Sequence, residues 1–142
     1  GHNGGRGILL GTGAASGECD GNVIRGCSLK GNESQGIHIY NADGNVICGC
    51  VLEGNGSRGI EVSYSDGNRI EGNAIWGRSI TGYGVYSDWT QTGNFIFRNT
   101  CSGCTNACYS FDTDDTYGPI VTNSGALAVT GAAAHAWANF AR

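Results

Sequence analysis

The chain contains seven cysteines, and the pair Cys101-x-x-Cys104 has the spacing of a metal-binding or redox motif. A structural zinc site needs a second such pair or a neighbouring histidine, and the sequence places neither beside it. Cys101 and Cys108 fall at positions that we expect to face a core, where a free cysteine packs as a small apolar residue. We therefore predict no catalytic, cofactor-binding or metal site in this chain.

Aspartates recur at Asp20, Asp43 and Asp66, each in the triplet Asp-Gly-Asn and 23 residues from the next. Three carboxylates stacked about 5 Å apart could bind Ca²⁺. The same triplet is typical of a turn, because Asp bonds nearby backbone while Gly and Asn accept positive φ. The turn explains all three residue types, so calcium is kept as the alternative. A second candidate calcium cluster comprises Asp112, Asp114 and Asp115.

Two outward pairs are expected to lie on neighbouring strands. Lys30 should lie beside Glu53, and His38 beside Glu61, each stabilising the sheet by a few tenths of a kcal/mol. His38 and Glu61 could serve as an acid and a base. No nucleophile or metal partner recurs near them, so we do not predict catalysis there.

Aromatic residues gather in and after the third repeat, where exposed rings could stack on sugars or could pack inserted loops onto the protein. The candidate sugar-stacking residues are Trp76, Tyr83, Tyr86 and Trp89. Two N-glycosylation sequons begin at Asn32 and Asn55, one repeat apart. Their spacing follows from the repeat itself, so glycosylation is a hypothesis for a mass spectrum to test.

A repeat of 23 residues must position all of these side chains. The segments 21–43 and 44–66 align throughout, 67–92 keeps the frame with insertions, and the unit from Gly93 is degenerate. Apolar residues recur in columns and alternate with period 2 between Gly/Asn/Ser turns, which predicts short strands and no helices. The main columns are Ile24/Ile47/Ile70/Ile96, Leu29/Leu52/Ile75/Cys101, Ile37/Ile60/Val85 and Ile39/Val62.

Short strands that cannot bury their inner faces alone must stack as coils of a solenoid. The spacing also fits a leucine-rich repeat, but the return segment is Gly-Ile-x-Ile/Val followed by a turn rather than a helix. We predict an all-β, right-handed parallel β-helix of about four to five coils, stacked about 4.8 Å apart. The coils should cover 1–117, and an apolar tail, 118–142, should pack on or cap them.

The units N-x-I-x-G-[CN]-x-[LI]-x-G-N…G-I-x-[IV] resemble the repeats of right-handed parallel β-helix proteins, the pectate-lyase-like superfamily with its unassigned bacterial extracellular members. In that superfamily, asparagines stack in the column that holds Cys27, Cys50, Asn73 and Asn99 here. The resemblance implies that Cys27 and Cys50 lie one above the other, with Cα atoms about 4.8 Å apart. They form either a disulfide or a ladder of two thiols.

Composition excludes several other classes of protein. The chain has 142 residues, of which 26 are Gly, 13 are Asn and only one is Pro, without the three-residue period of collagen. Eight basic residues against twelve acids exclude a nucleic-acid footprint, and no segment is apolar enough for a membrane span. The cysteine content favours an oxidising setting, so we expect an extracellular or cell-surface location.

The sequence favours a non-catalytic structural or adhesive solenoid. The chain starts in mid-coil at Gly7-Ile8-Leu9-Leu10, so we expect it to be part of a longer stack or to self-associate through open ends into a fibre. The alternatives are a carbohydrate-binding module, with a polysaccharide as partner, and a fragment of a polysaccharide lyase or hydrolase. An enzyme is the less favoured choice, because the arginines do not group with a carboxylate triad.

Overall fold

The computed structural model describes residues 5–11, 19–78, 81–87, 93–122, 136 and 138–141. Across these residues the chain forms sixteen short strands and no helix. The strands assemble into three parallel sheets, and each of the first four coils contributes one strand to each sheet. The protein is therefore a parallel β-solenoid, and the predicted fold class is confirmed.

The strands of the first sheet, in spatial order, are Ile8–Leu10 (β1), Ile37–Tyr40 (β4), Arg58–Ser63 (β7), Tyr83–Ser87 (β10) and Ala107–Ser110 (β13). The strands of the second sheet are Val23–Arg25 (β2), Val46–Cys48 (β5), Arg69–Glu71 (β8), Phe95–Phe97 (β11) and Thr116–Tyr117 (β14). The third sheet contains Ser28–Lys30 (β3), Val51–Glu53 (β6), Ala74–Trp76 (β9), Thr100–Ser102 (β12), Asn139–Ala141 (β16) and Ile120–Thr122 (β15). Two strands of the apolar tail thus extend the third sheet.

The predicted apolar columns are the core of the solenoid. Ile24 pairs with Ile47, Ile47 with Ile70, and Ile70 with Ile96, so one isoleucine from each coil stacks on the next. The Leu29 and Ile37 columns pair in the same way, and most of their members are fully buried. Most of the three-residue strands bury their central residue inside the coil, which is why such short strands suffice.

Asparagines close the corners between sheets. At one corner the Asn45 N–H donates to Asn68 Oδ1 at 2.8 Å, and the Asn68 N–H donates to Asn94 Oδ1 at 2.9 Å. A second ladder runs through Asn73 and Asn99 in the same way. These side chains bond the backbone of the adjoining coil, which satisfies polar groups that the tight corners would otherwise bury without partners.

Candidate metal centre

Three cysteine thiols meet where the fourth coil passes into the next one. Cys101 lies on β12, Cys104 follows in the next turn and Cys108 lies on β13. Their Sγ atoms all lie within 4.8 Å of one another, and those of Cys101 and Cys104 are 3.4 Å apart. Within the described ranges, no other group of three or more His, Cys, Asp or Glu side chains is close enough to hold a metal ion. We call these residues the three-thiol cluster.

Two substitutions in the repeat create this cluster. Cys101 occupies the column of Leu52 and Ile75, so its thiol points into the core and is only 3% exposed. Cys108 lies opposite Gly84 in the pairing of β10 with β13. In the coils below, the glycine of that column lies against the leucine or isoleucine that Cys101 replaces. Cys101 therefore replaces the large residue of its column, and Cys108 replaces the glycine of the neighbouring column.

The Tyr109 hydroxyl anchors the strand that carries Cys108 by hydrogen bonding. The hydroxyl oxygen lies 2.8 Å from the carbonyl oxygens of both Asn99 and Phe140, so its single proton is shared between two acceptors. Burial raises the pKa of Tyr109 well above its ordinary value, and the neighbouring thiols add to the rise. The phenol therefore keeps the proton that it shares between these two carbonyl oxygens, which holds β13 over the third sheet.

The thiols of the cluster favour their protonated forms. The pKa of Cys101 is strongly raised by hydrogen bonding to Cys104, then to Cys108, and by burial. For Cys104, a hydrogen bond from Cys101 lowers the pKa, but hydrogen bonding to Cys108 and burial outweigh it and raise the pKa to about 12. Three thiolates this close would repel one another in a dry site, so a cation must replace the protons if the sulfurs are to ionise.

The donor set suits a soft metal ion. Thiolates select Cu(I), zinc or iron–sulfur clusters, whereas Ca²⁺ and Mg²⁺ require oxygen ligands. Structural zinc sites use four ligands, and in the part of the chain described by the structure the cluster supplies three. The residues present therefore fit a low-coordinate thiophilic ion better than tetrahedral zinc.

The comparison with known protein families agrees with this chemistry. The family model of NosD, described as a periplasmic copper-binding protein, matches residues 4–133, which include the whole cluster. The chain belongs to the NosD family. No curated protein and no solved structure matches the chain. The family location is periplasmic, which agrees with the expected location outside the cytoplasm. The narrower likeness to pectate-lyase-like proteins stays a prediction.

The expectation of no metal or cofactor was therefore wrong for this NosD family member. Sequence reasoning dismissed Cys101-x-x-Cys104 because it looked for a second pair or a histidine, whereas the third thiol, that of Cys108, comes from the next sheet. A signal for it was present in the repeat, since cysteine replaces glycine in the column of Gly36, Gly59 and Gly84. The described residues contain no helix that could span a membrane.

The aspartate column does not form the alternative calcium site. The Asp20 carboxylate accepts the N–H of Asp43 at 2.7 Å, and the Asp43 carboxylate accepts the N–H of Asp66 at 2.8 Å. Each carboxylate thus bonds the backbone of the next coil rather than converging with its neighbours on one point. In the second candidate cluster, Asp115 is buried and ends an asparagine ladder, where its Oδ1 accepts from the side chain of Asn94 at 3.0 Å.

Other predicted residues lie where the repeat places them. Lys30 and Glu53 pair across strands, with Nζ 3.0 Å from Oε2. Hydrogen bonds from Arg78 first and then from Lys30 lower the pKa of Glu53. His38 lies opposite Glu61 in the register of β4 and β7. Both pairings agree with the expected neighbours.

The candidate sugar and glycan residues occupy different environments. Trp76 is 49% exposed, and the rings of Tyr83 and Tyr86 lie 5.0 Å apart, while Trp89 lies outside the described residues. Asn32 and Asn55 are buried, and the Asn32 Nδ2 donates to Asn55 Oδ1 at 2.8 Å. A glycan on either side chain would have to displace the residues that bury it, so glycosylation stays a prediction that a mass spectrum can check.

Proposed function

We propose that this NosD family protein binds Cu(I) at the three-thiol cluster and holds it on a non-catalytic solenoid scaffold. The observation that carries the proposal is the convergence of three Sγ atoms within 4.8 Å of one another. The family is described as copper-binding, which points to copper as the metal, and the sulfur donors favour its monovalent state. When bound, the ion would supply a soft, positively charged centre that Cys101, Cys104 and Cys108 hold in place.

The surroundings of the cluster support retention of the ion. Cys101 is buried, whereas Cys104 and Cys108 are partly exposed, so the cluster has an inner dry side and an outer side that solvent reaches. Rigid strands β12 and β13 carry two of the three ligands. Ligands on packed strands need little rearrangement to bind, which lowers the entropic cost of binding.

The test is an anaerobic titration of the reduced, full chain with Cu(I) against a chromogenic Cu(I) chelator. We expect the triple variant Cys101→Ser, Cys104→Ser, Cys108→Ser to lose one equivalent of tightly bound copper. The variant Cys19→Ser is the matched control, because Cys19 lies at a turn outside the cluster and should leave binding unchanged. Retention of all copper by the triple variant would contradict the proposal.

We propose sugar binding as a second candidate function, supported by the exposure of Trp76. An exposed indole on a rigid strand provides a flat apolar face for a sugar ring. Binding of an acidic polysaccharide should weaken when Trp76 is replaced by Ala and should persist when the exposed Phe95 is replaced. Equal loss with both variants would indicate non-specific adsorption.

We also propose self-association through the first coil. In the described part of the chain, β1, β2 and β3 each lie at an end of their sheet, and Leu9 and Val23 are exposed there. An open strand edge can pair with another chain. Sedimentation at rising protein concentration should show oligomers that Val23→Lys reduces, and a monomer at every concentration would exclude this mode of assembly.

A further inference from the structure

Cys27 and Cys50 interrupt one of the asparagine ladders. The Cys50 N–H donates to Asn73 Oδ1 at 2.9 Å, and Asn73 and Asn99 continue the same pattern to Asn139. The ladder thus has asparagine in its later coils and cysteine in its first two. We call Cys27 and Cys50 the thiol pair.

The fold does not require cysteine at these two positions. At the neighbouring corner, the asparagine ladder continues into the same two coils, where the Asn22 N–H donates to Asn45 Oδ1 at 2.8 Å. An asparagine at position 27 or 50 could bond the adjoining coil likewise, whereas a thiol is a weak donor and acceptor. The cysteines therefore give up hydrogen bonds that the repeat supplies elsewhere, and structure alone does not explain them.

The register stacks the two thiols at one corner. Ser28 pairs with Val51, and the Val51 N–H donates to the Cys27 carbonyl oxygen at 2.8 Å. Cys27 and Cys50 therefore lie on adjacent coils, with their Cα atoms about 4.8 Å apart. Cys50 is only 1% exposed and Cys27 is partly exposed, which gives the pair a buried end and an end that solvent can reach.

The surroundings disfavour a free thiolate and favour a compensating cation. Burial is the main cause that raises the pKa of Cys50, and the nearby Cys27 and Cys48 raise it further. The Cys50 thiol approaches the carbonyl oxygens of Cys48 at 3.5 Å and Ile24 at 3.8 Å, and a thiol is a weak donor, so these hydrogen bonds are weak. A soft monovalent ion between the two sulfurs would replace their protons without needing oxygen or nitrogen ligands.

We propose that the thiol pair is a second binding site, which takes one Cu(I) ion between the sulfurs of Cys27 and Cys50. The identity of the ion rests on the proposed function, but the site uses no residue of the three-thiol cluster. Binding breaks two S–H bonds, forms two S–Cu bonds and releases two protons to solvent. Copper enters and stays as Cu(I), so no oxidant or reductant takes part.

The experiment is the same anaerobic Cu(I) titration of the reduced full chain, with Cys27→Asn/Cys50→Asn as the test variant. These changes extend the existing asparagine ladder, so the variant should fold and lose only metal. We expect two equivalents of Cu(I) in the unchanged protein, one in Cys27→Asn/Cys50→Asn and one in the triple variant of the cluster. X-ray absorption of that triple variant should show copper bound by two sulfurs.

The two proposals fail in different ways. Copper lost from the cluster variant but not from Cys27→Asn/Cys50→Asn overturns the second site and leaves the proposed function standing. The reverse result overturns the proposed function alone. A Cys27–Cys50 disulfide that persists in the reduced protein, detected by alkylation and peptide mapping, also overturns the second site, as does nitrogen or oxygen coordination in the absorption spectrum.

Discussion

Gly84 lies against the thiol of Cys101, in a position where a β-carbon would overlap the Sγ atom. The same β-carbon would lie 2.5 Å from the carbonyl oxygen of Cys108. The absence of a side chain at Gly84 thus makes room for two members of the three-thiol cluster at once. This relationship lets the binding site be perturbed without removing a ligand.

Replacement of Gly84 by Ala should displace the Cys101 thiol and weaken Cu(I) binding at the cluster. Overpacking of this kind costs about 1–3 kcal/mol, so the protein should remain folded at room temperature. Chelator competition measures the affinity and urea denaturation measures the stability. Gly5→Ala is the control, because a β-carbon there meets nothing within 4 Å. Unchanged copper affinity in Gly84→Ala would show that Cys101 is not a ligand.

The stability of the metal-free, reduced protein should fall at alkaline pH. The pKa of Cys104 is raised from 9.0 to about 12, so the folded state holds a proton that the unfolded state releases first. The stabilisation is complete below pH 9 and is lost as the pH rises through 9 toward 12. Urea denaturation across this range measures the slope of the free energy of unfolding against pH. The slope should be shallower in the cluster triple variant, and an equal slope would refute the assignment.

Copper binding should release protons, because the cluster thiols are protonated near neutral pH. The apparent affinity should therefore rise with pH until the thiols ionise on their own. Titrations in buffers of different ionisation enthalpy measure the number of protons released. Binding without proton release would mean that the sulfurs are not the donors, and Cys19→Ser should leave the number unchanged.

Replacement of Asn99 by Ala should destabilise the solenoid strongly. Its Oδ1 accepts the N–H of Asn73 at 3.0 Å, and its Nδ2 donates to the carbonyl oxygen of Ile70 at 3.0 Å. Each buried group left without a partner costs about 1–3 kcal/mol, so a loss of about 3 kcal/mol or more is expected from urea denaturation. Asn106→Ala, at an exposed asparagine, should change stability by less than about 0.5 kcal/mol.

The repeat made most of the fold predictable. A side-chain period of two forces alternate residues to opposite faces, so the spacing of Ile24, Ile47 and Ile70 is enough to assign them to one buried column. The turns were as predictable as the strands, because the triplet Asp-Gly-Asn adopts few conformations other than a turn. The bonding of the aspartates was not, since Asp20 reaches the next coil instead of its own backbone.

The sequence by itself determined the parallel solenoid and its apolar columns, because both follow from residue types that recur at a regular interval. Only the tertiary structure decided that Cys108 joins Cys101 and Cys104. That contact joins two different sheets across a corner of the coil, and a corner's angle depends on how both sheets pack around the core. A linear spacing carries no measure of that angle, so the three-thiol cluster could be recognised only in the folded coil.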